Sequence, residues 1–586
     1  MREPLRRAAL PAFLLALPIG PAAAQEVAWT FEYDSPIHGT QAPLALHDTP
    51  DGGVLSVFAG ARTGGGQEFV AVKFSANGDR DWGYEGPLEQ GAPDSFWLTS
   101  RTDSAVDADG NLYLVSGTPQ GGRLIKVDAA GQEAWRTLLP HGAPNTTFHP
   151  EFVAIDGAGF PVVAGTTTEG TFPHVTLVRV DPAGAILWRE RSEVGGVHDF
   201  HVGPNGELVV LGQTDVEPWQ HFGLVQAFGP DGTSLWRFQP GSDGTGTLGF
   251  GTFWFDAVVQ GAIDPSGRVY GMLEGVYGAF GAEVPGFEIV AYDPGGAQSY
   301  SARTDVLGET VSAAAFAVDD AGRVAVVGRG AVSTGGGQRS FTVWHVDASG
   351  TVDWISTPSV AQGVGGSGGS VAFRPDGRVI VRGQRVATPA YVEAEFLPDG
   401  TEVSASLHTL DEATEMAFDG RGNLFRQTRV TFSNTRIEKL VDGGPVGAAY
   451  CGPAAANSTG FGARLRAIGS SAASDDNITV VAELLPSSTF VLFLASQGQG
   501  SVPGAGGGQG TLCLGGAIGR YVGPQQIRRA TTGGFASLQI DLDEMPSPTG
   551  FVQATSGSTW NLQAWYRDAN PGPTSNLTDA VSILLQ

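Results

Sequence analysis

Apolar and polar residues alternate along most of this chain, in short runs broken by Gly, Asp, Asn and Pro. A period of two predicts strands, because successive side chains of an extended backbone point to opposite faces. Residues 104–139, SAVDADGNLYLVSGTPQGGRLIKVDAAGQEAWRTLL, predict four short strands joined by three turns. Two of the turns share one form: Asp107 with Gly110, and Asp128 with Gly131, each following a Val. The Asp carboxylate is suited to accept backbone N–H groups two or three residues on, and Gly supplies the positive φ that closes the turn.

The pattern recurs. The outer turn is found at Ser75, Gly78 and Trp82; at Asp128, Gly131 and Trp135; at Asp181, Gly184 and Trp188; and at Gly229, Gly232 and Trp236. It continues at Asp293, Gly296 and Tyr300; at Asp347, Gly350 and Trp354; and at Leu397, Gly400 and Ser404. The inner turn keeps step at Asp107, Asp156, Gly203, Asp264, Asp319, Arg374 and Asp419, each with Gly three residues on, and a looser copy spans 48–52. A four-stranded unit at a period of roughly 45 to 60 residues is the signature of a β-propeller. The last unit lacks its fourth strand, and residues 27–33, with Trp29, match the missing one. The expected fold is therefore all-β: an eight-bladed propeller over 25–445 closed by the N-terminal strand, with seven blades as the alternative. The repeated Trp residues are assigned to packing between blades.

Repeats stop after Pro445. Seven further strand-like segments between 464 and 585 predict a β-sandwich over 446–586. Both cysteines of the chain, Cys451 and Cys513, lie there, and in an exported protein such a pair is expected to form a disulfide.

Export is expected from the start of the chain. Arg2, Arg6 and Arg7, an apolar run over 8–17 and three alanines before Gln25 predict a signal peptide over 1–24. No later segment reaches the ~20 apolar residues of a membrane-spanning helix. The expected location is periplasmic or extracellular. A net charge of −26 disfavours nucleic acid and anionic membranes as partners. Only Lys73, Lys126 and Lys439 are lysines, and none sits in a phosphate-binding loop motif.

The Asp-x-x-Gly-x-x-x-Trp turns resemble the tryptophan-docking repeats of quinoprotein (PQQ-like) propellers and of related exported bacterial propellers. Quinoprotein dehydrogenases place a vicinal disulfide over the quinone, whereas 25–445 contains no Cys. The resemblance implies the fold, and no quinone is expected. The stretches Tyr450 to Pro453, Leu512 to Arg520 and Trp560 to Pro573 resemble a module recurrent at the ends of large exported bacterial proteins, which implies attachment or stability rather than catalysis.

Both Asp-x-x-Gly turns of a unit fall on one rim, so the variable connections fall on the other. Segments 83–104, 212–222, 241–256 and 271–286 are read as long loops, and binding usually sits on such loops. The candidate ligand-binding residues near that rim are Trp97, His149, His198, Trp254 and Asp256, with Glu151, Asp199, His201 and Trp219 beside them. His198 and His201 are three apart, on opposite faces of a strand, a poor chelate. Gly365 to Gly369 fits the esterase pattern Gly-x-Ser-x-Gly, but that pattern needs a strand-to-helix turn. Asp103, Asp107 and Asp109 are the single hint of a calcium loop, with spacing that misses the EF-hand, so no cofactor or metal is expected. The leading expectation is a monomeric, non-enzymatic binding or scaffold propeller for a carbohydrate or protein ligand. The alternative is a carbohydrate-active enzyme, such as a polysaccharide lyase with His and acidic residues at the channel mouth.

Overall fold

The computed structural model describes residues 26–586 except 35–37, 63–66, 88–101, 119, 143–145, 170–171, 218–219, 239–256, 278–283, 304–311, 332–338, 362–365, 386–389, 410–411 and 432–433. The Asp-x-x-Gly turns close as a set. In the inner turn of 107–110, Gly110 N donates to Asp107 O at 2.9 Å and Asp107 N to Asn111 O at 3.0 Å. The Asp107 carboxylate then accepts from Asp109 N and Asn111 N, two and four residues on. The reach differs from the expected two or three because the N–H of Gly110 is already taken by the carbonyl of Asp107.

Strands between the turns pair into eight four-stranded antiparallel sheets among the described residues. Seven are consecutive in sequence: sheet one spans 38–87, two 102–140, three 146–194, four 196–238, five 257–303, six 312–356 and seven 366–409. Sheet eight joins Glu412–Phe418, Leu424–Thr431 and Asn434–Val441 to the N-terminal strand Glu26–Asp34, which pairs with Asn434–Val441. Strand Glu26–Asp34 thus takes the fourth place, as its likeness to the other Trp-bearing strands predicts.

Successive sheets share buried apolar clusters, and sheet eight shares one with sheet one: Phe425 and Ile437 pack with Val54, Phe58 and Val72. Where the outer turn motif ends in an aromatic, that ring lies on the turn of the next sheet. Trp82 Nε1 donates to Ala129 O at 2.9 Å, Trp135 to Pro182 O at 2.8 Å and Trp354 to Pro398 O at 3.0 Å. A Cβ on Gly131 would stand 2.7 Å from the Trp82 ring. Gly131 is therefore needed twice over, for φ of +82° and for the ring that lies on it.

Two of the segments read as long loops are mostly strand. Leu208–Glu217 pairs with Gln220–Phe228, and Val269–Tyr277 with Val284–Tyr292, so the ladders run further than turn chemistry suggested. Residues 83–87 belong to the strand Arg80–Pro87, while 88–101 and 241–256 lie outside the described residues.

After 441 the chain forms a four-stranded sheet ordered Gly444–Val446, Arg464–Gly469, Ile478–Glu483 and Ala536–Ile540. A second sheet contains Ala448–Tyr450, Thr574–Leu584, Thr559–Asp568 and Phe490–Ser496, and both sheets contribute to one apolar core. All seven expected strands of this region are present. The short strand Gly498–Pro503 was not expected, because its Gly-containing sequence lacks alternation. The Cys451 and Cys513 sulfurs lie at disulfide distance, with Cα atoms 6.2 Å apart.

This C-terminal region lies against sheets eight and one. Ile468 and Val481 share the buried cluster of Trp29 and Phe425. Around it Arg466 pairs with Glu26 at 2.5 Å, Arg421 with Asp476 at 2.6 Å, and Gln539 N donates to Asn77 Oδ1 at 2.6 Å. Lys439, fully buried, reaches Gln539 Oε1 at 2.8 Å and Asp419 at 3.1 Å. No helix among the described residues is long and apolar enough to cross a membrane.

Candidate functional site: the polar residues of the innermost strands

The first strand of each sheet ends at an inner turn, which gives the repeat a common count. Three residues before the strand's end stand Asp103, Asp199, Gln260 and Glu415 in sheets two, four, five and eight. Three of these side chains accept a backbone N–H from the next sheet. Asp103 Oδ2 takes Val153 N at 2.9 Å, Asp199 Oδ2 takes Gly261 N at 2.7 Å, and Gln260 Oε1 takes Phe316 N at 3.0 Å. The bond satisfies an amide that the antiparallel ladder leaves unused and ties neighbouring sheets together.

Asp199 does more than bracket. Its Oδ1 accepts Phe200 N at 2.8 Å, and His201 Nε2 lies 3.2 Å from its Oδ2. Residues 199 and 201 share a strand face, which makes this pair possible. Burial pushes the Asp199 carboxyl up, but His201 and the two N–H donors outweigh it and hold it below the ordinary range. Burial likewise lowers His201, and the Asp199 carboxylate more than offsets this, so the imidazole sits above its usual value.

The neighbouring acids move the other way. Burial lifts Asp103 to about 6 against the Val153 N–H bond, with the Asp199 charge adding to the rise. Burial lifts Glu415 to about 7, and the Asp103 charge adds to it. On the other side of Asp103, His47 Nε2 lies 2.8 Å from Ser104 Oγ, and burial lowers this imidazole to about 4. Glu415 was missed in the sequence, although it occupies the same place in its unit as Asp103 and Asp199. Counting back from each inner turn would have found it.

Of the expected site residues, His149 and Glu151 lie on Thr146–Ile155, and His198, Asp199 and His201 on Gly196–Val202. Glu151 and His198 fall at register shifts, between Pro150 and Phe152 and between Val197 and Asp199. A bulge of this kind re-aims the side chain at the extra residue. The bulge at His198 breaks strand alternation, so a spacing of three does not set His198 and His201 on opposite faces. Trp97, Trp219, Trp254 and Asp256 lie outside the described residues. Ser367 lies on the strand Gly366–Phe373, so the Gly-x-Ser-x-Gly match is not a strand-to-helix turn. Asp107 is committed to its turn and to Asn111 Nδ2 at 2.8 Å. No group of three His, Cys, Asp or Glu residues is placed to hold a metal among the described residues.

The class defined by the fold is an all-β chain of repeated four-stranded sheets with a second, C-terminal set of sheets. No family model matches the chain, and no curated protein matches it. Among solved structures it is similar to the Dos1 propeller, at 11% identity and a TM-score of 0.41, over 71% of this chain and 95% of that one. It is also similar to polysaccharide lyase Uly1, at 9% identity and a TM-score of 0.38, over 58% of this chain and 89% of that one. A third is a puromycin hydrolase mutant complexed with PGG, at 15% identity and a TM-score of 0.38, over 68% of this chain and 60% of that one.

Proposed function

We propose that the chain is an exported eight-bladed propeller, closed by its N-terminal strand, that acts as a non-enzymatic binding scaffold for a carbohydrate or protein ligand at the variable-loop rim. The C-terminal region is read as a disulfide-closed β-sandwich braced on blades eight and one. The observation that carries the scaffold reading is the set of brackets from Asp103, Asp199 and Gln260, which spend polar channel groups on holding adjacent sheets. The shared cluster of Phe425 with Val54 and Phe58 supports closure of the ring. The cysteine pair supports an oxidising compartment.

A glycan array and a pull-down with the exported protein test this reading. Retention of a glycan or a protein, lost when the 88–101 segment is replaced by a short Gly-Ser linker, is the expected result. No ligand together with measurable turnover overturns it. The lyase alternative draws on His149 and His198 and predicts uronate cleavage that is lost in His149→Ala or His198→Ala.

A further inference from the structure

The inner turns break their own rule once. The last residue of the innermost strand is Val106, Ile155, Val202, Ile263, Val318, Phe373 or Phe418 in sheets two to eight, always apolar and half-buried. In sheet one the residue is Asp48, and it is exposed. The turn that follows begins at Thr49, whose N–H donates to Gly53 O at 3.1 Å while Gly52 N returns to Thr49 O at 2.8 Å. Asp48 is therefore not the turn-closing acid that Asp107 or Asp156 is.

A cavity of about 780 Å³ opens there, between sheets six, seven, eight and one, in the size range of small-ligand sites. Asp48, Asp319, Asp320, Asp419 and Arg323 line it, with Phe373, Phe418 and Pro375 as apolar wall. Asp319 is paired with Arg323 at 2.5 Å and Asp419 with Lys439 at 3.1 Å, which leaves the exposed Asp48 and Asp320 as the uncommitted acids among the described lining residues. Arg374, 2% exposed, also lines it and is paired with Glu395 at 2.9 Å. The lining offers acceptors on the Asp48 and Asp320 carboxylates, two aromatic rings, and the guanidinium charges of Arg323 and Arg374, both already paired with acids. A cation would meet the Arg323 and Arg374 guanidinium charges beside the acids. A neutral sugar ring meets no such repulsion: its hydroxyls donate to Asp48 and Asp320, and its C–H face covers Phe418 or Phe373.

We propose that this turn-side mouth is a second ligand site, separate from the loop rim, that takes a neutral sugar ring. Saturation-transfer NMR on the whole protein with methyl α-D-glucopyranoside, galactopyranoside and mannopyranoside tests it, with n-butylamine as the cationic comparison. Transfer to the ring C–H protons of at least one glycoside is expected, weakened about tenfold in affinity by Asp48→Asn. Phe418→Leu gives a second reading of the same wall. Thermal melts check that each variant is folded, and Asp48→Asn leaves the Thr49 turn intact. Transfer to butylamine alone, to no glycoside, or undiminished in both folded variants overturns the proposal. Ligand capture at the loop rim is read separately with the 88–101 replacement, so the two sites fail independently.

Discussion

The Trp29 indole lies flat against Gly78: a Cβ added to that glycine would stand 2.6 Å from the ring, and Trp29 Nε1 donates to Ala76 O at 3.1 Å. The contact joins the first described strand of the chain to the outer turn of sheet one. Trp29→Ala removes a ring that is 8% exposed and is expected to cost about 3–5 kcal/mol, read as a lowered urea midpoint. Gly78→Ala is expected to destabilise as well, through the ring and through φ of +83°. A loss below ~1 kcal/mol for Trp29→Ala would remove the dock from the account.

One junction has no such dock. Sheet seven carries Ser404 where the others carry Trp or Tyr, and charged groups fill the boundary with sheet eight. Across it Arg378 pairs with Asp442 at 2.5 Å, Arg374 with Asp442 at 3.3 Å and Arg426 with Glu393 at 3.2 Å, while Arg374 and Arg378 also reach Glu395 within sheet seven at 2.9 and 2.7 Å. Arg374 and Glu395 are both buried, and Glu395→Ala leaves Arg374 with the longer contact to Asp442 at 3.3 Å as its remaining ion pair, at an expected cost of about 1–3 kcal/mol. Chemical denaturation of the variant checks this, and a neutral result would mean that water already solvates the network.

Glu415 gives a pH signature. Its folded carboxyl is lifted from 4.5 to about 7, so the folded chain binds the proton more tightly than the unfolded chain between those values. Stability from this group is present below about 4.5 and is lost as pH rises to about 7. Glu415→Gln is expected to flatten that fall and to melt higher than the parent at about pH 8, where the parent's carboxylate is ionised. A variant that melts lower than the parent at that pH would show that the ionised carboxylate is held by a favourable partner.

The repeat was legible because two constraints coincide in it: Gly must take positive φ, and an aromatic must lie on that same Gly. Trp82 and Gly131 therefore mark strand and turn together, and the place of Trp29 follows from them. The ends of the rim loops were not legible, since Val269–Tyr277 contains Gly271 and Gly275, which read as breaks yet pair in the ladder with Val290 and Gly286. The site was legible in part. His201 and Asp199 were singled out, but their pairing depends on same-face geometry, and the role of Asp103 in accepting Val153 N belongs to the contact between sheets, which no local pattern carries.

The two ends of the chain make separable contributions to sheet eight. Deleting 26–34 removes the partner of Asn434–Val441 and leaves its backbone N–H and C=O groups as an open edge. It also removes Trp29 and Phe31 from the cluster with Phe74. Aggregation is expected, seen as a loss of monomer in size-exclusion chromatography even with the C-terminal region present. Truncation after Gly443 keeps every pair of the eight sheets but uncovers the surface beneath Ile468 and Val481 and takes Gln539 from buried Lys439. That variant is expected to stay folded with a lower melting temperature. If it unfolds while the deletion of 26–34 is harmless, the C-terminal region rather than the N-terminal strand holds the sheets together, and closure by Glu26–Asp34 is wrong.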